Sequence, residues 1–156
     1  MPPVTRTLAA GPDHSPGFWL HHAALAWTAL VEDHLAPLHL THPQFMVLAS
    51  IGWLSRAGQH PSQQDVANSA GMDRMLTSRL IRRLEDAGLV NREADGADAR
   101  IFRIGLTTQG RVIVGQAVEL VRTIDETAFG ERPATAREQL RQTTQACRDQ
   151  RLQIKT

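Results

Sequence analysis

The chain has no tyrosine, one cysteine and one lysine, and phenylalanine and tryptophan together make up only 4% of its 156 residues. Each scarcity excludes something. A lone thiol, Cys147, cannot form an internal disulfide framework, so the fold must rest on a packed apolar core. No apolar run approaches the roughly 18 residues that a membrane span requires. Residues 1–11 carry a single Arg6 and no apolar stretch resembling a secretion signal. A soluble, cytoplasmic protein with no membrane partner is expected. Signatures of catalysis are missing as well: there is no Gly-rich phosphate loop, no G-x-S-x-G elbow and no H-E-x-x-H. The chain reads as a protein that is not an enzyme and uses no cofactor.

What is present is ordinary in amount and uneven in placement. Hydrophobic residues at 42% and charged residues at 21% are globular values, and the formal net charge is only +1. Yet no Lys or Arg occurs between Arg6 and Arg56, whereas Arg74, Arg79, Arg82 and Arg83 crowd a stretch without an acid. All but one of the 17 basic residues are Arg, the side chain suited to bidentate contacts with phosphate and guanine. A local basic patch on a near-neutral chain suits a module that reads DNA.

Caps and apolar periodicity predict six helices and one β-hairpin. Ser15 stands as a capping side chain before Pro16, and the helix it opens carries Phe18, Trp19, Trp27 and Val31 and stops near Pro37. Thr41 and Gln44 form a capping box for a second helix reaching about Ser55. Ser62 and Asp65 mark a short third helix with Val66 and Ala67 inward, broken by Gly71. Asp73 caps a fourth helix that reaches about Ala87 and is ended by Gly88. Residues 89–94 and 100–106 read as strands around the polar turn 95–98. Thr107 opens a long helix ending before Gly130, and Pro133 starts a last helix to about Leu152. Two short helices joined by a Gly turn and followed by a hairpin are the winged helix-turn-helix order.

The fourth helix has two unlike faces at about 100° per residue. Leu80 and Leu84 set the buried direction, Thr77 and Asp73 fall within about 60° of it, and Ile81 sits at the margin. Met75, Ser78 and Arg82 point the opposite way, with Arg74 and Arg79 on the shoulders. Such a face suits the major groove, with Arg on guanine edges and Ser78 or Met75 touching bases or thymine methyls. In the hairpin, Asp98 lies two residues before Arg100, on one face of a strand, where its carboxylate could hold the guanidinium extended toward a minor groove.

The ordered set of these segments resembles the MarR family of bacterial regulators. The matching residues are Leu40-Thr41 with Gln44-Phe45, Asp65-Val66-Ala67, Gly71-Met72-Asp73, Thr77-Ser78-Arg79-Leu80, Arg83-Leu84-Glu85, Gly88-Leu89-Val90, Asp98-Ala99-Arg100 and Leu106-Thr107-Thr108-Gln109-Gly110. The resemblance implies a mainly α fold with a small β-hairpin wing. It divides the chain into a winged helix-turn-helix lobe at 41–106 and a helical dimerisation region at 15–37 and 107–154. It further implies a homodimeric repressor on double-stranded, inverted-repeat DNA, with its two recognition helices one DNA turn apart. Base readout is carried onto Arg74, Met75, Ser78 and Arg79, and minor-groove contact onto Arg100. Phosphate contact falls on Ser62, Gln63 and Gln64, where free N–H groups at a helix start favour anions. Met75 and Leu76 depart from the pattern, standing where many members have Ser and Thr.

Members of the family usually release DNA when a small, often aromatic or phenolic, effector binds near the dimer helices. Five of the seven aromatics lie in the first two helices beside His21 and His22. An effector site on Trp19, His22, Trp27, Phe45 and Trp53 is one reading, and core or dimer packing is the favoured one. His34, His39 and His42 are too loosely spaced for a metal site. Cys147, without tyrosines and in the last helix, reads as a buried or interface thiol rather than an oxidation sensor. Two other functions compete. A winged-helix protein-interaction module would present apolar residues where Arg74, Arg79 and Arg82 stand. The dimerisation part of a small-molecule methyltransferase would need a cofactor domain after the last helix, and residues to Thr156 contain none.

Overall fold

Helix starts in this protein coincide with side chains able to accept the first free backbone N–H groups. The computed structural model describes residues 11–58, 60–98, 101–130 and 132–154. Its elements, in chain order, are α1 (Pro16–Leu35), α2 (His42–Leu54), α3 (Gln63–Ala70), α4 (Arg74–Asp86), β1 (Val90–Ala94), β2 (Phe102–Leu106), α5 (Thr108–Phe129) and α6 (Pro133–Ile154). Thr41 and Gln44 close a full capping box on α2, and Ser62 and Asp65 close another on α3. Asp73 accepts the Leu76 N–H at 2.8 Å and starts α4. Ser15 precedes α1 as expected but makes no side-chain cap bond. Pro16 follows at the first helical position, where its missing N–H removes one donor that the helix start would otherwise leave unsatisfied.

The chain forms two compact units, one ending at Leu120 and one beginning at Val121. In the first, α2, α3 and α4 contact one another in all three pairings, and the hairpin closes against α2, α3 and α4. Its core holds Val47, Leu48 and Ile51 of α2, Val66 and Ala67 of α3, and Leu80, Ile81 and Leu84 of α4, with Ile104 from β2. Ile81, placed by periodicity at the margin of the buried face, is fully buried because neighbouring elements close over α4 on more than one side.

The turn between α3 and α4 needs a residue that tolerates the left-handed region, and Gly71 supplies it with φ +67°. Gly110, in the first turn of α5, has a different reason to be glycine. A Cβ there would sit 2.0 Å from the Leu89 carbonyl oxygen, so no side chain fits without moving backbone.

The strands pair antiparallel, Val90 opposite Leu106 and Ala94 opposite Phe102. β1 starts at Val90 instead of Leu89, and Ile101, expected within the second strand, precedes β2. Arg100 lies outside the described residues. A third strand-like contact had no local signal: Ser62 bridges to Arg103, and the Ile104 N–H donates to the Pro61 carbonyl at 2.9 Å. The start of α3 is thereby tied to the hairpin.

The second unit contains the end of α5 and all of α6. No residue of α6 is buried, and Leu140, Leu152 and Ile154 are exposed along it. Cys147 is exposed too, so of the two expectations, a buried or an interface thiol, burial within this chain is not what is found. On α6 the Arg141 guanidinium grips Glu138 and pulls its carboxyl pKa down to about 2.

Two outcomes test this packing. Ile81→Ala should lower unfolding free energy by about 2–5 kcal/mol in urea titrations at matched protein concentration. Arg82→Ala, one residue on and exposed, should stay within about 0.5 kcal/mol; equal losses would mean the faces are misassigned. The Ser62 hydroxyl and N–H, with a smaller contribution from Arg103, hold the Asp65 carboxyl below its ordinary range. A depressed carboxylate stabilises the fold above its unfolded pKa and loses that contribution as pH falls through the folded value. Ser62→Ala should therefore flatten part of the drop in urea midpoint between pH 5 and acid conditions; an unchanged drop contradicts the box's role.

Candidate nucleic-acid interface

The short, strongly two-faced α4 dictates where its polar side chains can go. With Thr77, Leu80, Ile81 and Leu84 buried, Arg74, Met75, Arg79 and Arg82 are exposed and Ser78 is half-buried. Asp73 holds the helix start through its side chain, and its carbonyl also accepts the Thr77 hydroxyl at 2.9 Å. The first turn is thereby fixed from both sides. Arg74, Arg79 and Arg82 make no ion pair among the described residues, which leaves their guanidinium groups available to an anionic partner.

Ser62, Gln63 and Gln64 at the start of α3 face Arg74, Met75, Ser78 and Arg82 of α4 across a concavity of about 690 Å³. Seven of the ten residues proposed from sequence for DNA contact thus line one surface. Arg79 stands on the shoulder, exposed, outside that lining. Asp98 is exposed in the hairpin turn, and its proposed partner Arg100 lies outside the described residues.

Three hairpin residues that sequence reading did not single out complete the wall: Arg92, Ile101 and Phe102. Arg92 is a strut. Its Nε donates to Glu85 of α4 at 2.7 Å, and its guanidinium carbon lies 5.2 Å from the centre of the Phe102 ring. The pair spans the Gly88 turn, and the helical i,i+4 rule gives no hint of it. In the turn itself, Asp95 holds an arginine of the second strand. Its carboxylate accepts Arg103 Nε and the N–H groups of Ala97 and Asp98, and these donors, Arg103 first, hold its pKa below the ordinary carboxylate range. Arg103 also reaches the His60 carbonyl at 3.5 Å. The turn is therefore a pinned loop.

The aromatic residues considered for an effector do not converge. Trp19 is exposed, donates its indole N–H to the Asp13 carbonyl at 2.7 Å, and lies 6.4 Å ring to ring from His22. Trp27 meets His42 edge-on at 5.3 Å, where burial pushes the imidazole pKa down against the opposing effect of Glu32. Phe45 belongs to the core. Trp53, 61% exposed, carries the Arg56 guanidinium 3.2 Å above its ring, beside a groove of about 520 Å³. Leu106, Arg111 and Val114 border that groove. Helical periodicity gave the face of each ring but not the neighbour that covers it. Among the described residues, no group of three His, Cys, Asp or Glu side chains is placed to hold a metal. No helix among them is long and apolar enough to cross a membrane.

Comparison with known proteins agrees with this geometry. The MarR family model matches residues 40–102, which contain α2 to the start of β2. The HTH-type transcriptional regulator YdcH of Bacillus subtilis strain 168 is 33% identical over 120 residues, covering 77% of this chain and 82% of the relative. CouR from Rhodococcus jostii RHA1, solved with p-coumaroyl-CoA, superposes with a TM-score of 0.72 at 29% identity, covering 84% of this chain and 90% of CouR. The transcriptional repressor CouR has also been solved on a 23-mer DNA duplex, with a TM-score of 0.69 at 27% identity over 86% of this chain and 92% of that one. A mutant MarR from E. coli complexed with operator DNA gives a TM-score of 0.69 at 25% identity, over 82% of this chain and 91% of MarR. Fold, matched segment and full-length relative agree: the chain belongs to the MarR family of winged helix-turn-helix transcriptional regulators.

Proposed function

We propose that this regulator is a cytoplasmic homodimeric repressor that seats one α4 in each of two successive major grooves of an inverted repeat and leaves the DNA when a small molecule binds. The observation that carries the DNA reading is the single concave surface shared by the start of α3 and the outward face of α4, with three guanidinium groups on or beside it that make no ion pair among the described residues. Arg is the commonest reader of guanine O6 and N7, and the α3 start can hold a phosphate on Ser62, Gln63 and Gln64. The apolar residues that a protein-interaction module would present are largely replaced here by cations. Two related proteins solved on DNA support the same reading.

Dimerisation is proposed for 15–37 and 107–154, with 41–106 as the DNA lobe. Two observations support it: Trp19, Leu20, Leu25 and Leu30 of α1 are exposed, and nothing on α6 is buried. Exposed apolar rows of this kind are what a partner chain covers. An effector is supported by the relative solved with p-coumaroyl-CoA. Its requirement is thermodynamic: it must prefer the dimer whose α4 spacing no longer fits DNA.

Selecting sites from random duplexes should return an inverted repeat with half-sites about 10 bp apart; recovery of no preferred sequence would remove the reading. On that site, Arg79→Ala should lose about 1–3 kcal/mol of specific affinity if it grips a guanine. Equal loss on random DNA would reduce the residue to a phosphate contact. Arg100→Ala should weaken binding with an unchanged thermal melt, and undiminished affinity would take the wing out of the mechanism. Light scattering should report a dimer, and a stable monomer at micromolar concentration contradicts the assembly.

A further inference from the structure

The outward face of α4 contains one residue that its chemistry sets apart. Arg74, Ser78, Arg79 and Arg82 can all donate hydrogen bonds, to phosphates or base edges alike. Met75 cannot; its thioether is at best a weak acceptor. It is nevertheless 77% exposed, beside Arg74 at the first turn of α4 and at the edge of the concavity. Most of this large apolar side chain is left in water, so burial in this chain does not account for it. Ile101 and Phe102, both exposed, border the same concavity from the hairpin side.

A helix that enters the major groove puts its N-terminal residues against the base edges. Those edges present donors and acceptors throughout, with a single apolar group among them, the C5-methyl of thymine. An unbranched, polarizable side chain with three rotatable bonds can follow that methyl as the helix settles. We propose that Met75 is a specificity-determining residue that selects one thymine per half-site through its C5-methyl group. This inference rests on the reading that α4 enters the major groove, and it adds which base is chosen and by which atom.

The test removes the methyl and nothing else. In the selected operator, each thymine is replaced in turn by deoxyuridine, and affinity is measured for the native protein, Met75→Leu and Met75→Ala. For the native protein and Met75→Leu, uracil at one position should weaken binding about fourfold in one half-site and about fifteenfold in both, the loss of one buried methyl each time. Met75→Ala should bind the thymine and uracil duplexes equally. Cytosine at that position should bind less well than 5-methylcytosine for the native protein and Met75→Leu, and equally well for Met75→Ala. Indifference of the native protein to uracil everywhere, or an equal uracil penalty in Met75→Ala, overturns the proposal while leaving DNA recognition standing. Failure to select any operator overturns the major-groove reading, and this inference with it.

Discussion

Burial of Leu80, Ile81 and Leu84 on one side of a helix little more than three turns long is the constraint on which the rest of the structure depends. Those side chains fix the rotation of α4 about its own axis, because turning it would draw leucines into water and arginines into the core. Each such exchange costs several kcal/mol, far more than a surface helix could recover elsewhere. The exposed guanidinium groups therefore have their direction set from behind. Asp73 does the same for the position of the first turn, where Arg74 and Met75 emerge.

The second constraint is the seam between α3 and the hairpin. Pro61, Ser62 and Asp65 meet Ile104 and Arg103 there, so the start of α3 and the strand leading from the turn form one piece. Glu85 and Arg92 join the far end of α4 to the other strand. Both ties are partly exposed ion pairs or backbone bonds of modest individual worth. Their value is geometric: with α3, α4 and the wing held as one body, a shift of any one of them would carry the whole surface rather than distort it.

Much of this was legible in the sequence because its signals are local. Thr41 with Gln44, Ser62 with Asp65, and Asp73 alone are caps whose partners lie three residues away, and all three bond as their spacing indicates. The two faces of α4 follow from helical period. What stayed hidden depends on tertiary approach. The Asp95 carboxylate holds Arg103, eight residues on, and also accepts two N–H groups of the bend. The Pro61–Ile104 bond joins segments that no pattern links, and the aromatics of α1 and α2 scatter because period says nothing about the covering neighbour. Ser15 illustrates the opposite failure, a good local signal with no bond behind it.

The arginine-bearing face of α4 is proposed to meet base edges in the major groove. Dimethyl sulfate footprinting of the protein on its selected duplex tests it most directly, since the reagent marks guanine N7 in the major groove and adenine N3 in the minor groove. Guanine N7 should be protected in two clusters about 10 bp apart. Full reactivity of guanine N7 across the bound site would contradict it.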